Sequence, residues 1–191
     1  IRQVAAYSNV IGNDVLEEVM DKNLDHFIPI GYTEEELAYA GKFKEVVTEL
    51  DKEGLKDMIA HVVEKDKRKE VLDMPLLDFK LDRSESYGGG GSTDVGDVSW
   101  CIPTAQINTS TFPAQAPGHS WQNVSCGRTS IAHKNMLLAG KVIAATAIDL
   151  MEKPEVLQAA KDEFNKKMKR YGGYICPIPK DAVPVVPGEK M

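Results

Sequence analysis

The stretch from Tyr87 to Gln122 holds the side chains best suited to chemistry. Four glycines at 88–91 are followed by a Ser-Thr-Asp run at 92–94, which supplies two hydroxyl groups and a carboxylate. Glycine tolerates positive φ and lets the backbone approach a ligand closely. A Pro-Gly-His-Ser run at 117–120 then places an imidazole on a second tight turn. We therefore expect a cleft with one turn on each side.

His119 is the candidate metal ligand of this stretch. A neutral imidazole binds zinc, manganese or cobalt at neutral pH, and Gly118 before it frees the backbone to turn the ring inward. The alternative is that His119 is a turn residue without a ligand. For Asp94 we expect a role in orienting that histidine or fixing the loop, because carboxylates commonly hold metal-binding histidines in place. Its alternative role is to cap a turn.

Motifs throughout the chain are similar to those of the metal-dependent aminoacylase and carboxypeptidase-type amidohydrolases. Residues 91–94 match the glycine loop of that family, and 118–119 match its histidine turn. The likeness is greatest to the branch that acts on aminobenzoyl-glutamate, and it covers nearly the whole chain. The motifs that carry it read GSTDVGDVSW, GHSWQ, SIAHK, AAKDEF and YICPIP.

The resemblance implies a role for each candidate residue. His119 would be the last ligand of a pair of divalent metal ions, zinc or manganese. Asp94 would hydrogen-bond to a metal ligand or fix the loop without binding the metal itself. Gly91, Ser92 and Thr93 would bind a carboxylate or amide of the substrate. For these three residues, a simple tight turn is the alternative. His133 matches the family pattern without an assigned role.

The resemblance also implies that much of the site lies outside this chain. The family's other ligands and its general base come from an N-terminal half, and no matching motif occurs here, since the Glu-Glu runs at 17–18 and 34–36 fall on predicted helices. We therefore interpret the chain as a C-terminal portion that is inactive by itself and holds no metal tightly. The complete enzyme would be a dimer through its lid domain, possibly with a paralogous subunit.

Composition favours a cytoplasmic enzyme. The chain has 191 residues and a formal charge of −6, so a nucleic-acid surface or an anionic membrane is not expected as a partner. Cys101, Cys126 and Cys176 form neither an even set nor a close pair, which indicates a reducing compartment. The most apolar segment, 136–151, is too short and too interrupted by charge to cross a bilayer.

Periodicity predicts an α/β domain whose sheet and helices would position the two turns. Residues 1–10 are interpreted as a stub of the lid or dimerisation domain, or else as an edge strand, and 11–191 as the C-terminal part of a mixed-sheet, zinc-peptidase-like catalytic domain. Alternating or apolar runs predict strands at 77–81, 95–102 and 105–111. Apolar residues at helical spacing predict helices from Asp14 to about Asn23 and at 33–50, 53–63, 133–151 and 154–170, with the helix at 133–151 largely buried.

Three functions follow from these patterns. The first is a metal-dependent amidohydrolase that cleaves an N-acyl or aminobenzoyl amino acid, such as aminobenzoyl-glutamate. The second is a non-catalytic carboxylate-binding or regulatory subunit that retains the glycine loop. The third, a phosphate- or nucleotide-binding protein, is disfavoured because neither Lys-Ser/Thr nor a second spaced glycine pattern follows the glycine run. The sequence specifies neither the acyl group nor the metal.

Overall fold

The structure is a computed structural model, and it describes residues 5–81, 93–183 and 188. Within these ranges the regular secondary structure is helical and no strand occurs. The helices are α1 (Asp14–Asp25), α2 (Glu34–Gly41), α3 (Glu49–Val62), α4 (Arg68–Asp73), α5 (Val95–Ser99), α6 (Trp121–Cys126), α7 (Ser130–Glu152) and α8 (Pro154–Tyr171). A short 3₁₀ helix, Lys42–Glu45, follows α2 directly.

The chain is organised in two compact units. The first unit comprises Ile1–Val19, Gly89–Gln106 and Ile148–Met191, and the second comprises Met20–Gly88 and Ile107–Ala147. Helix α1 begins in the first unit and ends in the second, whereas α7 begins in the second and ends in the first. The chain thus passes between the units within continuous helices.

In the first unit, Asn13 joins α1 to α8. Its side chain is buried, its Nδ2 donates to the Ala160 carbonyl at 2.9 Å, and its Oδ1 accepts from the Leu16 amide at 3.1 Å. The Glu163 carboxylate accepts from the amides of Asp14 (2.8 Å) and Val15 (3.0 Å). These amides have no partner within the helix, so α8 satisfies the donors that the start of α1 leaves open.

In the second unit, α3 and α4 pack around an apolar cluster of Leu55, Ile59, Val71 and Leu77. A second cluster contains Ala40 from α2, Ile131 from α7, and Leu76 from the segment between α4 and α5. Each cluster draws residues from helices and one residue from the segment 76–77, which adjoins and enters the strand predicted at 77–81. That segment therefore contributes side chains to the cores without forming a strand.

The helix predictions for α1, α7 and α8 are confirmed within two residues at each end, apart from the start of α7. The αL cap at Gly172 ends α8, and the capping box of Thr33 and Glu36 starts α2. The single helix predicted for 33–50 is wrong, because it is interrupted between Glu45 and Glu49. Thr48 and Asp51 form a second capping box there, and a capped N-terminus starts a new helix.

The strand predictions are wrong for the described residues. Residues 95–102 begin with a helix, α5, and neither 77–81 nor 105–111 enters a hydrogen-bonded ladder. Thr93 starts the helical turn, because its carbonyl accepts from the Gly96 amide at 3.1 Å and its hydroxyl accepts from the Val95 amide at 3.3 Å. Apolar alternation alone did not distinguish this turn from a strand. The mixed sheet is therefore not observed in this part of the chain.

Helix α7 is less buried than its composition predicted. Ile131, Leu138 and Val142 are buried, but Met136 and Leu137 remain 62% and 58% exposed. Within the described ranges, no helix is both long enough and apolar enough to span a membrane. The apolar side chains of Met136 and Leu137 are therefore left uncovered by the second unit, to which both residues belong.

Candidate functional site

The glycine loop is described only from Thr93 onward. Gly91 and Ser92, two of the predicted substrate-binding residues, lie outside the described residues. Thr93 is half-buried, and its hydroxyl accepts from the Val95 amide at 3.3 Å in the turn that leads into α5. Asp94 is exposed, and its carboxylate accepts from the Thr93 hydroxyl at 3.4 Å. The turn-capping role considered for Asp94 thus falls to Thr93.

Asp97 makes more contacts than Asp94 does and is the better-connected carboxylate of this motif. Its Oδ1 accepts from the Ser8 hydroxyl at 2.7 Å and from the Tyr174 hydroxyl at 3.1 Å. The hydrogen bond from Ser8 is the main cause of a lowered pKa at Asp97; partial burial opposes the shift and Tyr174 adds to it. Asp97 therefore joins the segment before α1, helix α5 and the segment after α8 within the first unit. Sequence spacing carried no signal for this, because the three contacts are far apart in the chain.

The rest of the GSTDVGDVSW motif also holds the segment before α1. The Ser99 hydroxyl accepts from the Ile11 amide at 2.8 Å and donates to the Gly96 carbonyl at 2.6 Å. The Trp100 indole donates to the Asn9 carbonyl at 2.9 Å. A Cβ at Gly96 would overlap the Ser8 carbonyl group, whose carbon lies 2.9 Å away. The glycine at 96 is thus required by a close backbone approach.

His119 occupies an unusual backbone conformation. Its φ is +54°, and its side chain is exposed. The sequence suggested that Gly118 provides the conformational freedom, but the left-handed residue is the histidine itself. Left-handed backbone is uncommon outside glycine, and where it persists the surrounding structure holds it.

Ser120 fixes the chain immediately after His119. Its hydroxyl donates to the Pro117 carbonyl at 2.6 Å and accepts from the Asn123 amide at 3.3 Å, which caps α6. Because both interactions are made by the same oxygen, this hydroxyl holds the turn.

The described residues do not supply a metal site by themselves. Among them, no group of three or more His, Cys, Asp or Glu side chains is placed to hold a metal ion. His119 belongs to the second unit, and Thr93 and Asp94 belong to the first. One imidazole is an insufficient ligand set, because metal affinity depends on the number and geometry of ligands. The predicted cleft between the two turns stays a prediction.

The SIAHK motif contributes Lys134 to an ion pair with the buried Glu36, which sequence reasoning missed. The Lys134 ammonium lies 2.7 Å from the Glu36 carboxylate and donates to the Gly31 carbonyl at 2.9 Å. Burial raises the pKa of Glu36, but hydrogen bonds from Lys134, Ser130 and the Thr33 amide outweigh it and lower the pKa to about 2. His133, in contrast, is exposed on α7. The capping box identified Glu36 in the sequence, but nothing in the sequence showed that this residue is buried or that it pairs with Lys134.

The chain was compared with known proteins. It is 37% identical over 186 residues to one of the subunits of the p-aminobenzoyl-glutamate hydrolase of Escherichia coli, a match that covers 94% of this chain and 38% of that protein. The chain is homologous to this hydrolase. It is also 28% identical over 93 residues to the human Xaa-Arg dipeptidase and 29% identical over 97 residues to the mouse enzyme, matches that cover 49% of this chain and 21% of each dipeptidase.

The homology confirms the resemblance to the amidohydrolase and peptidase family, and the homologous hydrolase extends well beyond this chain. The chain spans about two fifths of the length of the bacterial relative, according to the 38% coverage. No family model matches the chain, and no solved structure matches it.

Proposed function

We propose that the chain forms the C-terminal part of an amidohydrolase that cleaves the amide bond of an N-acyl or aminobenzoyl amino acid, such as aminobenzoyl-glutamate. The observation that carries the proposal is the 37% identity to a p-aminobenzoyl-glutamate hydrolase over 94% of the chain. The reaction adds water across the amide C–N bond. The general base for that step would come from the part of the relative's length that this chain does not match.

In this proposal, His119 contributes one ligand to a site for two divalent metal ions, zinc or manganese. Two features support the assignment: the imidazole is exposed, and its backbone is held at positive φ by the turn at 117–120. The remaining ligands would come from elsewhere in the complete polypeptide. Asp94 would orient the site, and its exposed carboxylate leaves room for such a contact.

The glycine loop would bind the carboxylate of the amino-acid product. Gly91, Ser92 and Thr93 offer backbone amides and hydroxyls, which are suitable donors to a carboxylate. The Thr93 hydroxyl accepts from the Val95 amide at 3.3 Å and donates to the Asp94 carboxylate at 3.4 Å. In this proposal, a substrate carboxylate would replace Asp94 as the acceptor of that proton.

The proposed domain retains the predicted α/β architecture once it is complete. Residues 77–81 and 105–111 would pair with strands from the rest of the polypeptide, and the exposed residues of α7 would pack on that sheet. Residues 1–10 would return from a lid or dimerisation domain, and 11–191 would belong to the catalytic domain. The protein would work in the cytoplasm as a dimer, formed with a second copy or with a paralogous subunit, since the bacterial relative is named as a subunit.

The test compares His119→Ala with His133→Ala in the full-length polypeptide. Both residues are exposed histidines of the second unit, so the second variant is a matched control. We expect His119→Ala to lower both the bound metal per protomer and the rate of p-aminobenzoate release, whereas His133→Ala retains both. Asp94→Asn should cost less, roughly 10- to 100-fold in metal affinity or activity.

Metal content is measured by elemental analysis, and turnover is measured on aminobenzoyl-glutamate. Full metal and near-normal turnover in His119→Ala would contradict the proposal. A full-length protein that binds the substrate but never hydrolyses it would instead favour a carboxylate-binding or regulatory subunit.

A further inference from the structure

A cleft of about 400 Å³ lies entirely within the second unit, between α3 and α4. Its volume falls in the range of small-molecule sites. The side chains of Lys44, Lys52, Lys56 and Lys69 line it. None of these residues belongs to the candidate site described above, so the cleft is a separate feature of the chain.

The charge of the cleft is opposite to that of the chain. The chain has a formal charge of −6, but four lysines and one aspartate line this cleft, which gives the lining a formal charge of +3. Charges of one sign around a concave surface focus the electrostatic potential and raise the local concentration of counter-ions. A cleft of this charge in an acidic chain favours an anionic ligand.

Two of the lysines can exchange their present partners for a ligand. Lys52 and Lys56 pair with Glu49 and Glu53 at 2.7 Å, each within a single turn of α3. All four side chains are more than one-third exposed. Exposed pairs of this kind contribute little to stability, so reorienting an ammonium group costs little.

The other two lysines lie outside α3, Lys44 in the 3₁₀ helix and Lys69 in α4. The Lys44 ammonium donates to the backbone carbonyl of Asp73 at the end of α4, and Lys69 is exposed near the start of the same helix. No carboxylate forms an ion pair with Lys44 or Lys69 in the described ranges. Their charges are therefore available to a bound anion.

The floor of the cleft is apolar. Leu55 of α3 and Leu72 of α4 line it, and both belong to or pack against the apolar cluster of the unit. The Gln115 amide donates to the Leu72 carbonyl at 2.7 Å, which fixes one wall. Apolar surface beneath charged groups suits a ligand with an apolar body and an anionic end.

We propose that this cleft binds a small organic carboxylate with an aromatic or branched apolar body. The carboxylate would lie between Lys44 and Lys69, and the apolar body would cover Leu55 and Leu72. The proposal goes beyond hydrolysis and does not rest on it, because the cleft contains no residue assigned to the candidate site.

The experiment uses the full 191-residue chain and naphthalene-2-carboxylate as a fluorescent probe. We expect saturable binding with one probe per chain, weakened by added salt because the ammonium groups are exposed. Lys44→Gln and Lys69→Gln should each weaken binding several-fold, up to about tenfold, because a hydrogen bond to a charged group is worth about 1.5 kcal/mol. Lys65→Gln, an exposed lysine outside the cleft, should leave the affinity unchanged.

Two further ligands separate the contributions of charge and apolar surface. Neutral naphthalene-2-carboxamide should bind at least several-fold more weakly than the carboxylate, and inorganic phosphate should compete poorly. Equal affinity for the carboxamide, competition by phosphate as effective as by the carboxylate, unchanged affinity in both cleft variants, or no saturable binding would each overturn the proposal. Thermal unfolding of every variant verifies that the chain stays folded.

Discussion

His119 shows how a single backbone angle bears on function. A left-handed residue other than glycine costs about 1–2 kcal/mol, so the turn at 117–120 carries a conformation that stability alone does not favour. The sequence predicts that the histidine of this turn is a metal ligand, and that assignment stays a prediction. The sequence predicted that Gly118 provides the conformational freedom, since glycine is the residue type that most readily adopts positive φ. The actual conformation depends on the hydrogen bonds of Ser120 with Pro117 and Asn123, which cannot be read from the sequence.

Glu36 provides a prediction on pH. Its folded-state pKa is lowered from 4.5 to about 2, so its contribution to stability is present above about pH 4.5 and is lost as pH falls toward 2. Glu36→Gln should lower the free energy of unfolding at neutral pH by up to about 3 kcal/mol, because one pKa unit corresponds to 1.36 kcal/mol. The difference from wild type should shrink as pH falls from about 4.5 to about 2.

Urea unfolding between pH 2 and 7 measures this difference. Glu35→Gln, at an exposed position of the same helix, is the matched control and should follow the wild-type pH dependence. A Glu36→Gln variant whose deficit stays constant over this range would show that the loss comes from packing rather than from ionisation.

Helix α5 shows which elements could be predicted and which could not. The start of α2 was predicted from Thr33 and Glu36, because that capping box lies within four residues. The start of α3 was missed although Thr48 and Asp51 form a box of the same spacing, because the sequence pattern expects Glu or Gln at the third helical position. The segment 95–102 was predicted as a strand from its apolar alternation. That prediction failed because a strand also needs a hydrogen-bonded partner, and alternation within one segment does not show whether a partner exists. The segment instead makes contacts with residues 8–11, which lie almost ninety positions earlier in the chain.

Two glycine substitutions distinguish the close contact at α5 from ordinary helix propensity. Gly96→Ala should destabilise the chain by about 1–3 kcal/mol, since overpacking against rigid backbone has that cost and the new Cβ would overlap the Ser8 carbonyl. Gly54→Ala, inside α3 with no atom within 4 Å of the new Cβ, should stabilise by about 0.5–1 kcal/mol.

Chemical denaturation of the two variants gives both values. Hydrogen exchange locates the effect, and we expect Gly96→Ala to lower protection in residues 8–12 and in α5. If Gly96→Ala is as stable as wild type, the approach of Ser8 to α5 is not maintained in solution.

For the whole polypeptide, the exposed apolar residues of α7 are informative. Met136, Leu137 and Ile143 are 62%, 58% and 53% exposed, and all three belong to the second unit. The helix was predicted to be largely buried, and that prediction is wrong for this chain. The homologous hydrolase is much longer than this chain, which supports the proposal that another part of the polypeptide covers these residues.

The corresponding prediction compares the isolated chain with the full-length polypeptide. The isolated chain should hydrolyse no aminobenzoyl-glutamate and should self-associate through exposed apolar surface. The double variant Leu137→Gln/Ile143→Gln should reduce that association in sedimentation velocity. In the full-length polypeptide it should lower stability by about 1–3 kcal/mol for each residue that is buried there.

Val124→Gln, at a position of α6 that is 79% exposed, is the control for removing an apolar side chain. It should alter full-length stability little. If the double variant leaves the full-length protein as stable as wild type, α7 remains uncovered there, and the sheet proposed against it is absent.

The contact between α5 and the segment before α1 has a consequence for divergence. Asn9 is held by its carbonyl and Ile11 by its amide, and Ser8 meets Gly96 through its main chain. These main-chain contacts do not depend on the side chains at positions 9 and 10, both of which are exposed. Evolutionary drift can therefore replace these two residues freely while Gly96, Ser99 and Trp100 stay constrained, so lineages can differ in the residues of this segment and still route it along the same path.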